Sequence, residues 1–302
     1  MNYTAENPEI SIIMGVYNQY NKEQLNEAVN SILNQTFENF EFIIYDDGSD
    51  ELPARYIERL RERDDRIRVI RCEDNHGLAF SLNRCIGEAR GKYLARMDAD
   101  DISLPNRLQV EHDFLEEHRE YDWVGCNAKV FDGDDIWGTH IMAEQPNQYN
   151  FLPFSPYIHP TVMFRRELFE ENEGYNISKE TLRCEDYELF MRLYRQGYKG
   201  FNLQKTMFLY REGIHAYRKR TWKSRIDEAK IRIQNFPHME LPVRKQILYI
   251  LRPLVTALIP YPFIAMYKKY RLEQLSRERK DAVTDIHVYF QDYVRKYITA
   301  EQ

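Results

Sequence analysis

Three acidic clusters carry most of the chemistry on offer in this sequence: Asp46-Asp47, Asp98-Ala99-Asp100-Asp101 and Glu185-Asp186. In Asp98-Ala99-Asp100, alternate carboxylates at the end of a strand can meet one divalent cation. Hard oxygen ligands suit Mg²⁺ or Mn²⁺, and Mg²⁺ is usually held by one or two carboxylates together with substrate phosphates. The same string also reads as a turn with a helix cap, because Ser103 and Pro105 follow it. Glu185-Asp186 precedes an apolar helical stripe. A carboxylate there favours the positive end of a helix dipole. Other chemistries lack their residues. No GxGxxG follows a strand, and neither GxxxxGK[ST] nor GxSxG occurs. Cys72, Cys85, Cys126 and Cys184 form no CxxC pair of the kind that holds structural zinc.

These clusters need elements to position them. Residues 10–16 form a β-rich run, and Leu25, Val29, Ile32 and Leu33 then recur at helical spacing. A second short strand, 42–45, ends in Asp46-Asp47-Gly48-Ser49-Asp50, and Asp50 with Pro53 starts a helix with Tyr56, Ile57 and Leu60 as its stripe. Residues 67–70 are a third strand, Leu78, Leu82, Ile86 and Ala89 another helical stripe, and 93–97 a fourth strand ending in the second acidic cluster. Strands alternating with helices imply right-handed crossovers and a mainly parallel α/β sheet. In such sheets ligands bind beyond the carboxyl ends of the strands. Geometry alone therefore brings Asp47 and Asp98 to Asp101 towards one crevice. Further on, Ser103 and Pro105 open a helix running towards His118, 123–131 reads as a strand, and 138–157 as an irregular loop. Residues 161–164 are a short strand, and the stripe Leu189, Phe190 and Leu193 ends at Gly197.

The 302 residues suit one large α/β domain with a modest appendage, and 43% hydrophobic content excludes a disordered or collagen-like chain. A net charge of −6 argues against a general nucleic-acid binder. That average hides an asymmetry. Residues 1–210 carry a balance of −15, whereas 211–280 hold 17 Lys/Arg against 6 Asp/Glu, and 281–302 return to −2. A basic segment behind an acidic body suggests two different jobs, unless it is an ordinary solvated face. The polar stretch 1–8 lacks a signal-peptide apolar region, so a reduced, cytoplasmic protein is expected.

Taken in order, the motifs are Ser11-Ile-Ile-Met-Gly-Val16-Tyr17-Asn18, Ser31-Ile-Leu-Asn-Gln35-Thr36-Phe37, Asp46-Asp47-Gly48-Ser49-Asp50, Asn75-His76-Gly77-Leu78, Gly91-Lys-Tyr93-Leu, Asp98-Ala-Asp100-Asp101 and Glu185-Asp186. This ordered set resembles family 2 glycosyltransferases of the GT-A fold, of the bacterial surface-polysaccharide type, over about residues 8–215. The resemblance implies an inverting enzyme. It would move a sugar from a nucleotide-diphosphate donor, UDP-sugar favoured, to a hydroxyl of a glycan or lipid-linked acceptor, using Mn²⁺ or Mg²⁺. The alternative is a catalytically silent protein of the same fold with a binding or regulatory role.

The resemblance also implies roles residue by residue. Val16, Tyr17, Asp47, Asn75, Gly77 and Asp98 line the nucleotide-sugar site, with Asp47 accepting the base N–H and Asp46 fixing the turn. From its place in the chain, Tyr17 equally fits a core tyrosine at a strand end. Asp100 is the direct metal ligand, with Asp98 on the ribose or a metal-bound water; Asp101 ligates or caps the next helix. Asp186 is the general base, with Glu185 beside it. His159 falls near the acceptor site. Many relatives carry Tyr-Arg-x-His where this chain has Tyr210-Arg211-Glu-Gly-Ile-His215, two residues longer, so His215 is an equally good surface histidine.

The expected division is a catalytic unit, 1–215, with a donor half of about 8–101 and an acceptor half of about 102–215, then a basic helical extension, 216–302. In that extension 253–267 is free of charge, but Pro253, Pro260 and Pro262 argue against a straight spanning helix. Peripheral attachment to an anionic membrane face through 211–280 is therefore expected, against a hairpin packed on the catalytic unit or on a second subunit.

Overall fold

The computed structural model describes residues 7–133, 135–213 and 221–278. Its sheet has the order β3 (Ile67–Cys72), β2 (Phe40–Asp47), β1 (Ile10–Val16), β4 (Tyr93–Arg96), β8 (Met163–Arg165), β6 (Trp123–Asp132), β9 (Gly200–Arg211) and β5 (Ile102–Ser103), with β7 (Asp135–His140) beside β6. The first four strands are wholly parallel. Beyond β4 the sheet turns mixed: β8 runs antiparallel to β4 and β6, and β9 lies parallel to β6 along a long ladder. The α/β architecture expected from the alternating patterns is therefore present, mainly parallel and completed by short antiparallel ladders.

Both faces of the sheet are covered, which is why β1 and β2 read as continuous apolar runs. Alternate side chains go to opposite sides. Ile10, Ile12 and Met14 join Leu25, Val29 and Ile32 of α1 (Lys22–Leu33), Ile57 of α2 (Glu51–Glu58) and Leu108 of α4 (Arg107–Glu117). On the other side, Ile13 and Ile43 pack with Leu82 and Cys85 of α3 (Leu78–Glu88) and with Leu189, Phe190 and Leu193 of α6 (Glu185–Arg195). A one-turn helix, α5 (Glu167–Glu171), links β8 to the loop before α6.

Two expectations need correction, and one strand was not anticipated. The helix after the second acidic cluster begins at Arg107, because Ser103 is spent in β5, paired with Phe208. Residues 138–140, the start of the expected loop, belong to β7, which extends the sheet along β6. β9, twelve residues long, has no counterpart in the sequence reading.

Past β9 every described element is helical: α7 (Trp222–Asn235), α8 (Val243–Ala257) and α9 (Tyr261–Glu278), with a short 3-10 turn after α7. α8 contains Pro253, tolerated within a continuous helix. α9 packs on β7, where Leu272 lies directly over Gly138. Among the described residues no helix is long and apolar enough to cross a membrane.

Candidate active site

The parallel half of the sheet delivers the first two acidic clusters to one end. Val16 closes β1 in register with Asp46, and Asp46 and Asp47 close β2. Asp46 is buried and its Oδ1 accepts the Ser49 N–H at 3.0 Å, so it fixes the turn. Asn18 latches the neighbouring turn. Its N–H donates to Ser49 Oγ at 2.9 Å, and its Oδ1 accepts the Asp50 N–H at 2.8 Å. Tyr17 is thereby left 52% exposed at the mouth of the crevice, so it is not a core tyrosine.

Asp47 is buried and heavily engaged. Its Oδ2 accepts from Asn75 Nδ2 at 2.8 Å and from Gly77 N–H at 2.7 Å, and its Oδ1 accepts from His76 N–H at 3.1 Å. The carboxylate thus organises the loop before α3, where Gly77 sits at φ +94°, a backbone angle other residues rarely adopt. Asn75 and Gly77 are thereby held against Asp47 at the end of β2.

Asp98, Asp100 and Asp101 follow β4 and offer one carboxylate oxygen each, all within 4.8 Å of one another. Asp101 is almost fully buried. Burial pushes its carboxyl well above the usual range, and Asp100 and Asp98 push it further. Its Oδ1 accepts the Arg211 N–H at 2.7 Å, whereas its buried Oδ2 has no hydrogen-bond partner. An all-oxygen set with one orphaned buried carboxylate oxygen fits a hard divalent cation. Arg211 Nε also donates to the Asp100 carbonyl at 2.6 Å. Tyr210-Arg211 therefore reaches the cluster directly, while His215 lies outside the described residues.

Glu185 and Asp186 occupy the first turn of α6. Burial raises the Glu185 carboxyl to about 7, with Asp186 the next contributor. Two residues link this pair to the second cluster, and sequence reasoning found neither. Arg96, 1% exposed at the end of β4, forms an ion pair with Asp98 at 2.5 Å, and its charge also reaches Glu185 and Asp101. Tyr175 is buried where the fields of Arg96, Asp186, Glu185 and Asp98 meet; burial chiefly raises its phenol. Its hydroxyl pairs with His159 Nε2 at 2.7 Å. Burial, then Arg96, holds His159 well below the ordinary imidazole range, so His159 is neutral here. Asn83 fixes Tyr175 from α3: its Oδ1 accepts the Tyr175 N–H at 2.7 Å and its Nδ2 donates to the Tyr175 carbonyl at 2.8 Å. The only sequence signal for Arg96 was its charge inside an otherwise apolar strand, two residues before Asp98.

A parallel nucleotide-type sheet, an acidic triad at its carboxyl edge and a second acidic pair from the mixed half define a transferase of the GT-A fold. The chain belongs to the family described as Glycosyl transferase family 2, whose profile matches residues 11–172. It is 36% identical to EpsE of Bacillus subtilis over 266 residues, covering 88% of this chain and 95% of EpsE. It is 31% identical to the O-antigen biosynthesis glycosyltransferase WbnJ of Escherichia coli over 207 residues, 67% of this chain and 79% of WbnJ. Among solved structures, residues 1–349 of S. aureus TarS in complex with UDP-GlcNAc superpose with a TM-score of 0.63 at 20% identity, covering 82% of this chain and 71% of that one. The mannosyltransferase PcManGT of Pyrobaculum calidifontis, in complex with GDP-Man and Mn²⁺, gives 0.57 at 15% identity, covering 98% and 88%. At these identities the structural likeness concerns the fold.

Proposed function

We propose that this protein is an inverting glycosyltransferase that moves a sugar from a nucleotide-diphosphate donor to a hydroxyl of a glycan or lipid-linked acceptor in bacterial surface-polysaccharide synthesis. The observation that carries this reading is the convergence of Asp98, Asp100 and Asp101 within 4.8 Å at the end of β4. UDP is the favoured nucleotide, in keeping with the UDP-GlcNAc bound by TarS.

Asp47, through the loop Asn75 to Gly77, shapes the base pocket and offers Oδ1 to the base N–H, while exposed Tyr17 covers the ring or ribose. Asp100 and Asp98, with Asp101 behind them, would hold Mn²⁺ or Mg²⁺. When bound, such a cation supplies Lewis-acid stabilisation of the charge on the departing nucleoside diphosphate. Asp186 takes the proton of the acceptor hydroxyl as its oxygen attacks the anomeric carbon. The bond from that carbon to the diphosphate oxygen breaks as the new one forms, on the opposite face, so the configuration inverts. Neutral His159 and Tyr175 support the acceptor side, and Arg96 balances the carboxylates around them. Residues up to 215 form the catalytic unit in this reading, and the helices after it carry the enzyme peripherally to the cytoplasmic face of a membrane.

The test is donor turnover. With Mn²⁺ present, a panel of UDP-, GDP- and dTDP-sugars should give one donor whose nucleoside diphosphate is released. The release should be lost in Asp100→Asn and in excess EDTA. Undiminished turnover in either case would remove the proposed site.

A further inference from the structure

The described residues expose 21 large hydrophobic side chains, and 11 of them lie between Val243 and Tyr270. On α8, Val243, Ile247, Leu251, Val255 and Leu258 all fall on one helical face about 120° wide. The opposite side of α8 is the one turned towards α7 and the loop at Pro153: the Tyr249 and Pro153 carbonyls both accept from Arg232. On α9, Phe263, Met266, Tyr267 and Tyr270 form an exposed stripe. The reverse side of that helix is anchored, with Leu272 over Gly138 and Lys268 Nζ donating to both Glu212 oxygens at 2.7 Å. Each helix is therefore fixed to the body by one face and presents apolar surface on the other. An exposed apolar face of this kind on each helix marks an interaction site.

Charge selects the occupant. Between residues 241 and 272 there are six Lys/Arg and no Asp/Glu, in a chain whose first 210 residues carry −15. Arg244, Lys245, Arg252, Lys269 and Arg271 are all exposed on the same two helices. A second copy of the chain, docked through the same patch by a two-fold axis, would set these cations against each other. An anionic surface that also accepts aliphatic and aromatic side chains meets both demands, and a bilayer with anionic headgroups is such a surface. Tyrosines beside basic residues suit the headgroup boundary, where a ring is apolar on its body and wet at its hydroxyl.

We infer that the exposed faces of α8 and α9 together form an interfacial site that seats this protein on an anionic lipid bilayer, inserted into the headgroup region without spanning it. The inference rests on the peripheral location proposed above but not on the sugar-transfer chemistry, because lipid binding is read without donor or acceptor. The anchor also bears on the site. Glu212, the partner of Lys268, directly follows Arg211, which holds Asp100 and Asp101. The lipid-facing helix is thus tied to the end of β9, which holds the acidic triad that follows β4.

The experiment is co-sedimentation of the full chain with phosphatidylcholine vesicles lacking or containing phosphatidylglycerol. Binding should require phosphatidylglycerol and weaken with added salt. Arg244→Gln and Lys245→Gln should each lower the partition constant roughly fivefold. Phe263→Ser with Tyr267→Ser, and separately Ile247→Gln with Leu251→Gln, should lower it at least about tenfold. All these positions are exposed, so an unchanged melting temperature checks that the fold is kept. A Tyr267→Trp variant should shift its emission to the blue on phosphatidylglycerol vesicles. No binding to either vesicle would overturn the inference. So would equal binding to both, or binding that the face variants leave unchanged. A dimer in solution that the same variants dissociate, without vesicle binding, would reassign the face to self-association. Loss of donor turnover with lipid binding intact would count against the reaction and not against this site.

Discussion

Arg211 donates its backbone N–H to the Asp101 carboxylate at 2.7 Å. Through that bond the last long strand of the sheet holds the acidic loop of the fourth, although 110 positions separate the two residues. The Nε bond to the Asp100 carbonyl adds a second tether. One bond ends on the Asp101 carboxylate and the other on the Asp100 carbonyl, so both atoms remain in place when the Asp100 carboxylate is changed to an amide.

Asp100→Asn is accordingly expected to fold normally and to lose about 100-fold or more in turnover, the scale of several kcal/mol of charge stabilisation. Circular dichroism and thermal unfolding check the fold, and Mn²⁺ titration checks the site. Full activity with wild-type metal affinity would sink the assignment.

Gly48 offers a test of the donor side. It sits at φ +75°, and a Cβ there would lie 2.5 Å from the Asp74 carbonyl carbon and 2.7 Å from the Asn75 nitrogen. Gly48→Ala should push back the 74–77 segment and disturb the contacts of Asn75 and Gly77 with Asp47. Donor affinity should fall at least about tenfold, by isothermal titration, while Mn²⁺ binding at the separate Asp98 loop persists. Unaltered donor affinity would show that this loop does not shape the pocket.

How far the sequence foretold this arrangement depends on the reach of each signal. The acidic ends of β2 and β4 were legible because strand, turn and carboxylates are contiguous in the chain. β9 was not, because it joins the sheet through strands distant in sequence and half its side chains stay partly exposed, which blurs the alternation. β7 was lost because it follows β6 after a tight turn at Gly133 and, among the described residues, pairs along β6 alone. Arg96 and Tyr175 illustrate the same limit inside the site. Nothing local marks Tyr175; it becomes a site residue because Asn83, 92 positions away, clamps its backbone beside Arg96. Asp47 is the converse case. Its position was foreseen, but its bonds to the 75–77 loop became visible only in three dimensions.

The acidic pair of α6 separates binding from chemistry. Asp186→Asn should lower transfer by about 10² to 10⁴ and leave donor affinity within a few-fold, since a general base acts on the acceptor. Glu185, with its carboxyl raised to about 7 beside Asp186, should add a step near that pH to the rate profile, and Glu185→Gln should remove it. A large loss of donor affinity in Asp186→Asn, or a profile that Glu185→Gln leaves intact, would contradict these roles.

The last test concerns the core beneath the site. Arg107 is fully buried in α4 and spends its guanidinium on Ser103 Oγ at 2.7 Å and on the Arg96 and Pro160 carbonyls, each at 3.2 Å. It thereby ties the acidic loop's strand to the His159-Pro160 turn. Glu111, one turn on, lies 3.9 Å from Arg107 and beside the buried Cys126 thiol. Burial outweighs that distant charge and the Cys126 hydrogen bond and raises its carboxyl to about 8, against 4.5 in an unfolded chain. Between those pH values the folded protein holds one proton more than the unfolded chain. Stability from this residue is therefore complete below about pH 4.5, falls as pH rises, and levels off above about 8. A glutamine cannot ionise, so Glu111→Gln should lack this slope. Melting temperatures taken from pH 5 to pH 8.5 should show the variant close to wild type at the acid end and progressively more stable towards the alkaline end. Parallel curves for the two proteins would mean that Glu111 is already ionised in the folded core and that Arg107 neutralises it across the 3.9 Å gap.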